Sequence, residues 1–411
     1  MSLNNTPSGE RIHIGIFGKR NAGKSSIINA LTGQNLAIVS DIKGTTTDPV
    51  LKAMELLPLG PVVMIDTPGL DDEGDLGALR VQKAYQILNK TDIALLIVDG
   101  ITGMTKEDHA ILEKIKDKSI PCAVVMNKAD LLPGQTSGSS PSSVQSSSGN
   151  QETGRTFVPA IWVSAADHTN IEELKGLIAA LAPAQDSERR IVGDLIKPFD
   201  LVVLVVPIDK AAPKGRLILP QQQTIRDILD TGAVSVVARN TELNATLAAL
   251  GRKPSLVITD SQAFEQVAGE VPEDVPLTSF SILFARYKGN LKHLIKGARV
   301  LDDLKDKDTV LICEGCTHHR QCGDIGTEKL PAWIYAHTGK DLNFEFTSGT
   351  EFPTKLEPYR LIIHCGGCTL NEREMKYRLK CAEDANVPIT NYGTVIAYMK
   401  GILERSTAFL T

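Results

Sequence analysis

Apolar and polar positions along the chain fall into three successive series. In the first, Arg11–Phe17 is a short apolar run ending in a glycine-rich stretch, and Lys24–Leu31 has the spacing of a helix. Val62–Ile65, Ile93–Val98, Ala123–Met126 and Ile161–Val163 are continuous apolar runs of strand length. Helical stretches near 76–90, 105–117 and 170–182 separate them. Buried runs alternating with helices predict an α/β fold with a mostly parallel sheet. Residues 134–154, Gly-Gln-Thr-Ser-Gly-Ser-Ser-Pro and onward, cannot bury apolar area and predict a flexible surface insertion.

The polar stretch Pro183–Arg190 closes a first domain, 1–185. A second series, 186–303, contains the strand Asp200–Val206, a helix at 219–230 and the strands Val234–Ala238 and Leu256–Thr259, each followed by a helix. It predicts a smaller α/β domain with no phosphate loop and no clustered titratable groups, suited to scaffolding or self-association. The third series, 304–411, is again α/β. Thr309–Ile312 runs into Cys313, and Leu361–Ile363 runs into His364-Cys365-Gly-Gly-Cys368. Binding sites in open α/β sheets lie at the carboxyl ends of strands. Two such ends would bring both cysteine groups together across 48 intervening residues.

Composition narrows the classes. The chain has 411 residues, 42% hydrophobic and 23% charged, with a net charge of −5. An acidic balance without a dense Lys/Arg patch argues against nucleic acid or anionic membrane as a partner. No apolar run reaches the ~18 residues of a membrane span, and the first residues carry no signal-peptide pattern, so a cytoplasmic protein is expected. Disulfides are then unexpected among the seven cysteines. Cys122 sits in the apolar run Pro-Cys-Ala-Val-Val-Met and reads as a core thiol. The other six, Cys313, Cys316, Cys322, Cys365, Cys368 and Cys381, all fall in the last hundred residues.

Gly18-Lys-Arg-Asn21-Ala22-Gly23-Lys24-Ser25 matches G-x-x-x-x-G-K-[ST] between a strand and a helix that continues through Ser26. Backbone amides would curl around phosphates there, with positive charge from Lys24 and the helix N-terminus, and the Ser25 hydroxyl would bind Mg2+. Three further motifs follow in order. Thr45 and Thr46, in Gly44-Thr-Thr-Thr-Asp48, can reach Mg2+ and the γ-phosphate. Asp66-Thr-Pro-Gly69 ends a strand: Asp66 would hold Mg2+ through water, and the Gly69 amide would sense the γ-phosphate. In Asn127-Lys128-Ala-Asp130 the Asp130 carboxylate would accept two hydrogen bonds from guanine, and Ser164-Ala165-Ala166 would frame the base. Together they predict binding of GTP and GDP and hydrolysis of GTP, with Lys24, Thr46 and Gly69 acting on the reaction.

Over residues ~10–183 these motifs resemble the translation-factor-related GTPases, most closely the tRNA-modification and Era-like branch. The resemblance implies that Thr46, rather than Thr45, is the Mg2+ ligand. It implies that Asn21 binds K+, which would add charge beside the β/γ bridge as an arginine finger does. Leu70 stands where many such GTPases carry a water-orienting glutamine, so the catalytic water must be positioned otherwise.

Cys313-x-x-Cys316 and Cys365-x-x-Cys368 are two C-x-x-C pairs. Four thiolates suit zinc or an iron–sulfur cluster. The long gap argues against a simple structural zinc, and His318, His319 or His364 could replace one thiolate. Cys316-Thr-His318, then 45 residues, then His364-Cys365-Gly-Gly-Cys368 resembles the C-x-H…H-C-x-x-C signature of the [FeFe]-hydrogenase maturation GTPases. That resemblance extends to the three-part organisation. It implies a [4Fe-4S] cluster held by Cys316, Cys365 and Cys368, with the fourth iron open or held by an exchangeable ligand such as His318. Some members use a glutamate after the first cysteine; Arg320-Gln-Cys322-Gly-Asp324 has none. On this reading Cys313 is not a ligand. The resemblance further implies a homodimer or larger assembly that carries a transient diiron subcluster precursor to apo-[FeFe]-hydrogenase, with two radical-SAM maturases as further partners. The competing expectations are an Era-like GTPase acting on RNA or ribosomes through a zinc domain, and an oligomerisation protein with a vestigial GTPase.

Overall fold

The computed structural model describes residue 6 and residues 8–33, 50–67, 86–132, 142–144, 158–182, 189–208, 217–315, 324–349, 351–353 and 355–410. The chain divides into two compact units, Met1–Gln185 and Asp186–Thr411. Both are α/β, as the alternation of elements predicts.

The first unit is built on a seven-stranded sheet. Its strands are β1 (Ile12–Phe17), β2 (Val50–Leu56), β3 (Gly60–Asp66), β4 (Ile93–Asp99), β5 (Cys122–Asn127), β6 (Ser142–Val144) and β7 (Val158–Trp162), in the order β2-β3-β1-β4-β5-β7-β6. The five inner strands are parallel; β2 and β6 run antiparallel at the two edges. Period-two alternation splits each inner strand between two cores. Ile14, Ile16, Leu95, Ile97, Ala123 and Val125 face helices α1 (Lys24–Thr32) and α3 (Ile171–Leu181). Ala94, Leu96, Val98, Val124 and Met126 face α2 (Lys106–Asp117). Cys122 packs into this second core, as its apolar context predicts. The edge strand β6 falls within the 134–154 insertion, the rest of which lies outside the described residues. The predicted helix near 76–90 is described only from residue 86 onward.

The second unit holds two four-stranded sheets, one on each side of the expected 303/304 border. The first contains β8 (Leu201–Val205), β9 (Val234–Ala238), β10 (Leu256–Thr259) and β11 (Leu277–Ser279), in the order β11-β10-β8-β9. The second contains β12 (Thr309–Glu314), β13 (Asn343–Ser348), β14 (Leu361–His364) and β15 (Ile389–Asn391), in the order β13-β12-β14-β15. Both are fully parallel, and both place the first strand between the second and the third. Beyond α4 (Leu219–Asp230) the longer helices are α5 (Phe280–Lys288), α6 (Leu291–Arg299), α7 (Leu330–Thr338), α8 (Glu372–Asp384) and α9 (Tyr392–Met399); shorter ones span Leu243–Ala249, Phe264–Glu270 and Leu403–Thr407.

One face of the second sheet, with Val310, Ile312, Leu361 and Ile363, packs on Leu330, Ile334, Val395 and Ile396 of α7 and α9. The opposite face, with Leu311, Cys313, Ile362 and Ile389, joins a core shared with the first sheet and with Ile282, Phe284 and Leu294 of α5 and α6. The two sheets therefore share one continuous apolar cluster.

Candidate functional site

In the first unit, the carboxyl end of β1 turns directly into the predicted phosphate loop. Gly18 has φ +142°, and a Cβ there would meet the Ile97 carbonyl at 2.2 Å. Gly23 has φ +92°, and a Cβ would meet the Asn127 side-chain amide at 2.1 Å. Only glycine fits either place. Asn21 takes the left-handed conformation at φ 60°. Helix α1 starts at Lys24 with no side-chain cap and no acidic residue in its first turn, which leaves its positive end open to an anion. Lys24 is buried, and its ammonium donates to Gly18 O (2.9 Å) and Lys19 O (2.8 Å) inside the loop. Ser26 follows in the same turn.

The Ser25 hydroxyl donates to Asp66 Oδ2 at 3.0 Å, so two of the three predicted magnesium-binding groups meet although they lie 41 residues apart. Burial pushes the Asp66 carboxyl up, while the Ser25 hydrogen bond and the Lys24 charge pull it back. The base-reading motifs also come together. The Asn127 amide donates to Ala22 O (3.0 Å), and its Oδ1 accepts from the Ala165 N–H (3.2 Å). Ser164 donates to Asp130 at 2.7 Å, which orients the carboxylate. Lys128 donates to Asp99 Oδ2 at 2.6 Å, a partner that its motif does not reveal. Ala166 lies in the exposed turn beside Ala165. Thr45, Thr46, Gly69 and Leu70 lie outside the described residues. Truncating Asp130 to alanine should weaken guanine-nucleotide binding about ten- to hundredfold, the loss of charge-assisted hydrogen bonds worth about 1.5–3 kcal/mol. Titration with a fluorescent GDP measures it.

In the second unit, β12 lies between β13 and β14, so the chain order reverses at the β12/β14 junction. That reversal point is where open α/β sheets bind ligands. Cys313 pairs in register with His364, and the Cys365 N–H donates to Cys313 O at 2.9 Å. Just past the strand ends, Cys365 Sγ accepts N–H bonds from Gly315 (3.0 Å) and Gly367 (3.4 Å). Burial raises the Cys365 thiol to about 11, against which these two N–H groups pull. Cys368 follows one turn later, also raised by burial. Cys316 is next to Gly315 in sequence, but it and His318 and His319 lie outside the described residues. Among the described residues no three His, Cys, Asp or Glu side chains converge as a metal site. The donors that are present nonetheless fit an iron–sulfur cluster: two soft thiols at a strand-end crevice, one already receiving two backbone N–H bonds.

Two of the alternative donors named by the sequence are engaged in the fold. Cys313 belongs inside β12, not at its end; its thiol is fully buried and burial raises it to about 12, so it is a core residue. His364 is not available as a ligand. Its Nδ1 lies 2.8 Å from Cys365 O and its Nε2 lies 2.9 Å from Arg378 Nη1. Arginine only donates, so Nε2 accepts and Nδ1 carries the proton. Arg378 is itself fully buried, donating to Glu374 Oε1 (2.9 Å) and Gly349 O (2.8 Å). The chain Glu374–Arg378–His364 fixes the backbone at Cys365. The i,i+4 spacing of Glu374 and Arg378 was the only sequence signal for it.

Burial, then the Arg378 charge, lower His364 from 6.5 to about 3. The folded protein refuses this proton, while the unfolded chain accepts it below about pH 6.5. Stability should therefore fall as pH drops from about 6.5 towards 3, by up to about 1.4 kcal/mol per pH unit. Denaturant melts of metal-free protein at pH 7 and pH 5 should show this loss, and His364→Gln should lack that component.

A glycine loop between strand and helix, a Ser25–Asp66 hydrogen bond and an ordered Asn127–Asp130 loop are together the arrangement of a P-loop GTPase. A family model described as 50S ribosome-binding GTPase matches residues 13–128. Models described as Hydrogen maturase F dimerization domain and Hydrogen maturase F tetramerization domain match 191–289 and 292–409, together more than half of the chain. The chain belongs to the hydrogen maturase F family.

Among relatives, the tRNA modification GTPase MnmE of Nitrosomonas eutropha is 40% identical over 123 residues, 30% of this chain and 27% of that protein. MnmE of Carboxydothermus hydrogenoformans is 43% identical over 122 residues, 29% of this chain and 26% of that protein. The chain thus spans about a quarter of the length of these relatives. A solved structure of Era in complex with MgGDPNP and nucleotides of 16S ribosomal RNA is 21% identical, with a TM-score of 0.34, covering 60% of this chain and 90% of that one.

A GTPase domain is thus followed in this chain by the two hydrogen maturase F domains. Its dimerization and tetramerization domains support a homo-oligomer. No helix among the described residues is long and apolar enough to cross a membrane.

Proposed function

We propose that this cytoplasmic GTPase is a carrier: it holds a [4Fe-4S] cluster through Cys316, Cys365 and Cys368 and delivers a diiron subcluster precursor to apo-[FeFe]-hydrogenase. The observation that carries the reading is Cys365, placed at the chain-reversal point of the second sheet with two N–H groups on its sulfur. When bound, the cluster supplies an iron position not closed by a fourth thiolate, to which the diiron cargo can attach. The protein's residues do the rest. Cys365 and Cys368 present soft donors, His364 and Arg378 hold the backbone between them and β14, and the buried Cys313 stays out of the ligand set. His318 or another exchangeable group would complete the fourth position.

GTP hydrolysis acts here as a switch on partner affinity, not as a source of cluster chemistry. Lys24 holds charge at the phosphates; Ser25 and Thr46 hold Mg2+ with Asp66; the Gly69 amide follows the γ-phosphate. Asn21 holds K+ beside the phosphates, which adds charge there; with Leu70 in place of a glutamine, the catalytic water is positioned by other groups. The two radical-SAM maturases load the cargo. Action on RNA or ribosomes is suggested only by the names of the relatives, whose matched stretches are confined to the GTPase part. The −5 net charge disfavours it.

The test is transfer. Reconstituted protein loaded by the two maturases should activate apo-hydrogenase, read as hydrogen evolution. Protein that is loaded with iron yet never activates the hydrogenase would refute the carrier role.

A further inference from the structure

The two sheets of the second unit are copies of one module. They share the same parallel strand order, with the first strand between the second and third. Their last strands and following helices also correspond in sequence: Leu277-Thr278-Ser279-Phe280 with Ile389-Thr390-Asn391-Tyr392, Ala285 with Ala397, Lys288-Gly289 with Lys400-Gly401, and Leu291 with Leu403. The correspondence runs without a gap, as expected of an internal repeat.

The modules exchange contacts across this shared element. Ser281 near the start of α5 meets its counterpart at the start of α9: the Gly393 N–H donates to Ser281 Oγ at 3.1 Å, and Asn391 Nδ2 donates to Ser281 O at 2.9 Å. At the far end each lysine reaches the other module, to the segment that follows its third strand. Lys400 makes a surface ion pair with Glu265 at 2.7 Å, with 30% and 69% of the side chains exposed. Lys288 does something different. It is 3% exposed, and its ammonium donates to Gly367 O (3.2 Å), Cys368 O (3.2 Å) and Leu370 O (2.8 Å). Its stem passes the Phe284 ring, with the ammonium 5.7 Å from the centroid.

We propose that Lys288, supplied by the first module, is the positioning residue for the cysteine loop of the second, clamping 367–370 and lending its positive charge to a cluster bound at Cys365 and Cys368. The charge part of this inference rests on the cluster reading above; the clamp does not. One buried ammonium ties three carbonyls of the loop together; if the lysine left, Gly367 O would keep the Leu370 N–H (3.1 Å), while Cys368 O and Leu370 O would lose this donor. The same charge favours the more negative, reduced form of a cluster at this loop. The lysine that the fold places in both modules has been drawn inside only where the cysteines are.

The test uses full-length protein with Lys288→Met, Lys288→Arg and the repeat counterpart Lys400→Met. Methionine keeps length and helix propensity, so α5 should persist. In metal-free protein, hydrogen exchange of the amides at 366–371 should quicken at least about tenfold in Lys288→Met and not in Lys400→Met. In iron-reconstituted protein, dithionite titration followed by electron paramagnetic resonance should show the cluster's reduction equilibrium lowered about tenfold in Lys288→Met, ~59 mV for one electron. Lys288→Arg should return it towards wild type. Unchanged exchange would overturn the clamp. Unchanged potential in a cluster-loaded Lys288→Met protein, even with lowered iron content, would overturn the charge role and leave Lys288 a packing residue. Wild-type protein that takes up no iron would overturn the charge role together with the cluster reading, while the exchange arm still judges the clamp.

Discussion

Lys24→Ala should lower GTP turnover by about 10²–10³-fold, the cost of removing one preorganised charge from a developing phosphate anion. The structure explains why no neighbour substitutes. The Lys24 ammonium is buried inside its loop, held by Gly18 O and Lys19 O. Arg20, also in the loop, is exposed. The glycine geometry at Gly18 and Gly23 does not depend on the lysine, so the loop should persist, and a thermal melt separates lost chemistry from lost fold. Iron uptake should be unaffected, because Cys365 and Lys24 belong to separate compact units with separate cores. Phosphate release measured against iron content gives both numbers from one preparation.

Cys365→Ser should have the reverse effect. Serine keeps the size of the side chain but presents a hard, protonated hydroxyl where a thiolate is needed. Iron should fall from roughly four per chain to well below one. The loss should exceed that of Cys381→Ser, because Cys381 lies within helix α8 and not in the Cys365–Cys368 loop. GTP turnover should stay within about twofold of wild type, as expected of independent sites on separate compact units. Both variants should fail to activate apo-hydrogenase, one through an empty carrier and one through a frozen switch. If Cys365→Ser still held a full complement of iron, the ligand assignment would be wrong.

The nucleotide site was legible because its chemistry is local. A contiguous loop, a strand-end aspartate and two short base-reading motifs each carry their own geometry, and the parallel sheet only has to bring four strand ends together. The strands missed in the sequence share a physical reason. Edge strand β13, Asn343–Ser348, is half polar and largely exposed, and β11 and β15 are three residues each, running straight into helices. None carries the apolar run that marks a buried strand. Edge strand β2 is mostly solvent-facing and was missed for the same cause.

The cysteine site was half legible. Two strand ends carrying cysteines could be seen, and their adjacency followed from the fold class. What could not be read was which polar neighbours were committed elsewhere. His364 looks like a ligand beside Cys365 until Arg378, 14 residues away on α8, occupies its Nε2. Lys288 gave no signal, since it sits 79 residues before Gly367 and looks like any helix-end lysine. Burial of such groups is set by which elements pack together, and that is not written in local pattern.

The most direct measurement for the whole account is metal analysis of full-length protein after anaerobic reconstitution with iron and sulfide. The account predicts brown protein with about four irons and four sulfides per chain, lost in Cys316→Ser, Cys365→Ser and Cys368→Ser and retained in Cys313→Ala. Colourless protein that keeps a single tightly bound zinc, or iron that depends on Cys313, would contradict it.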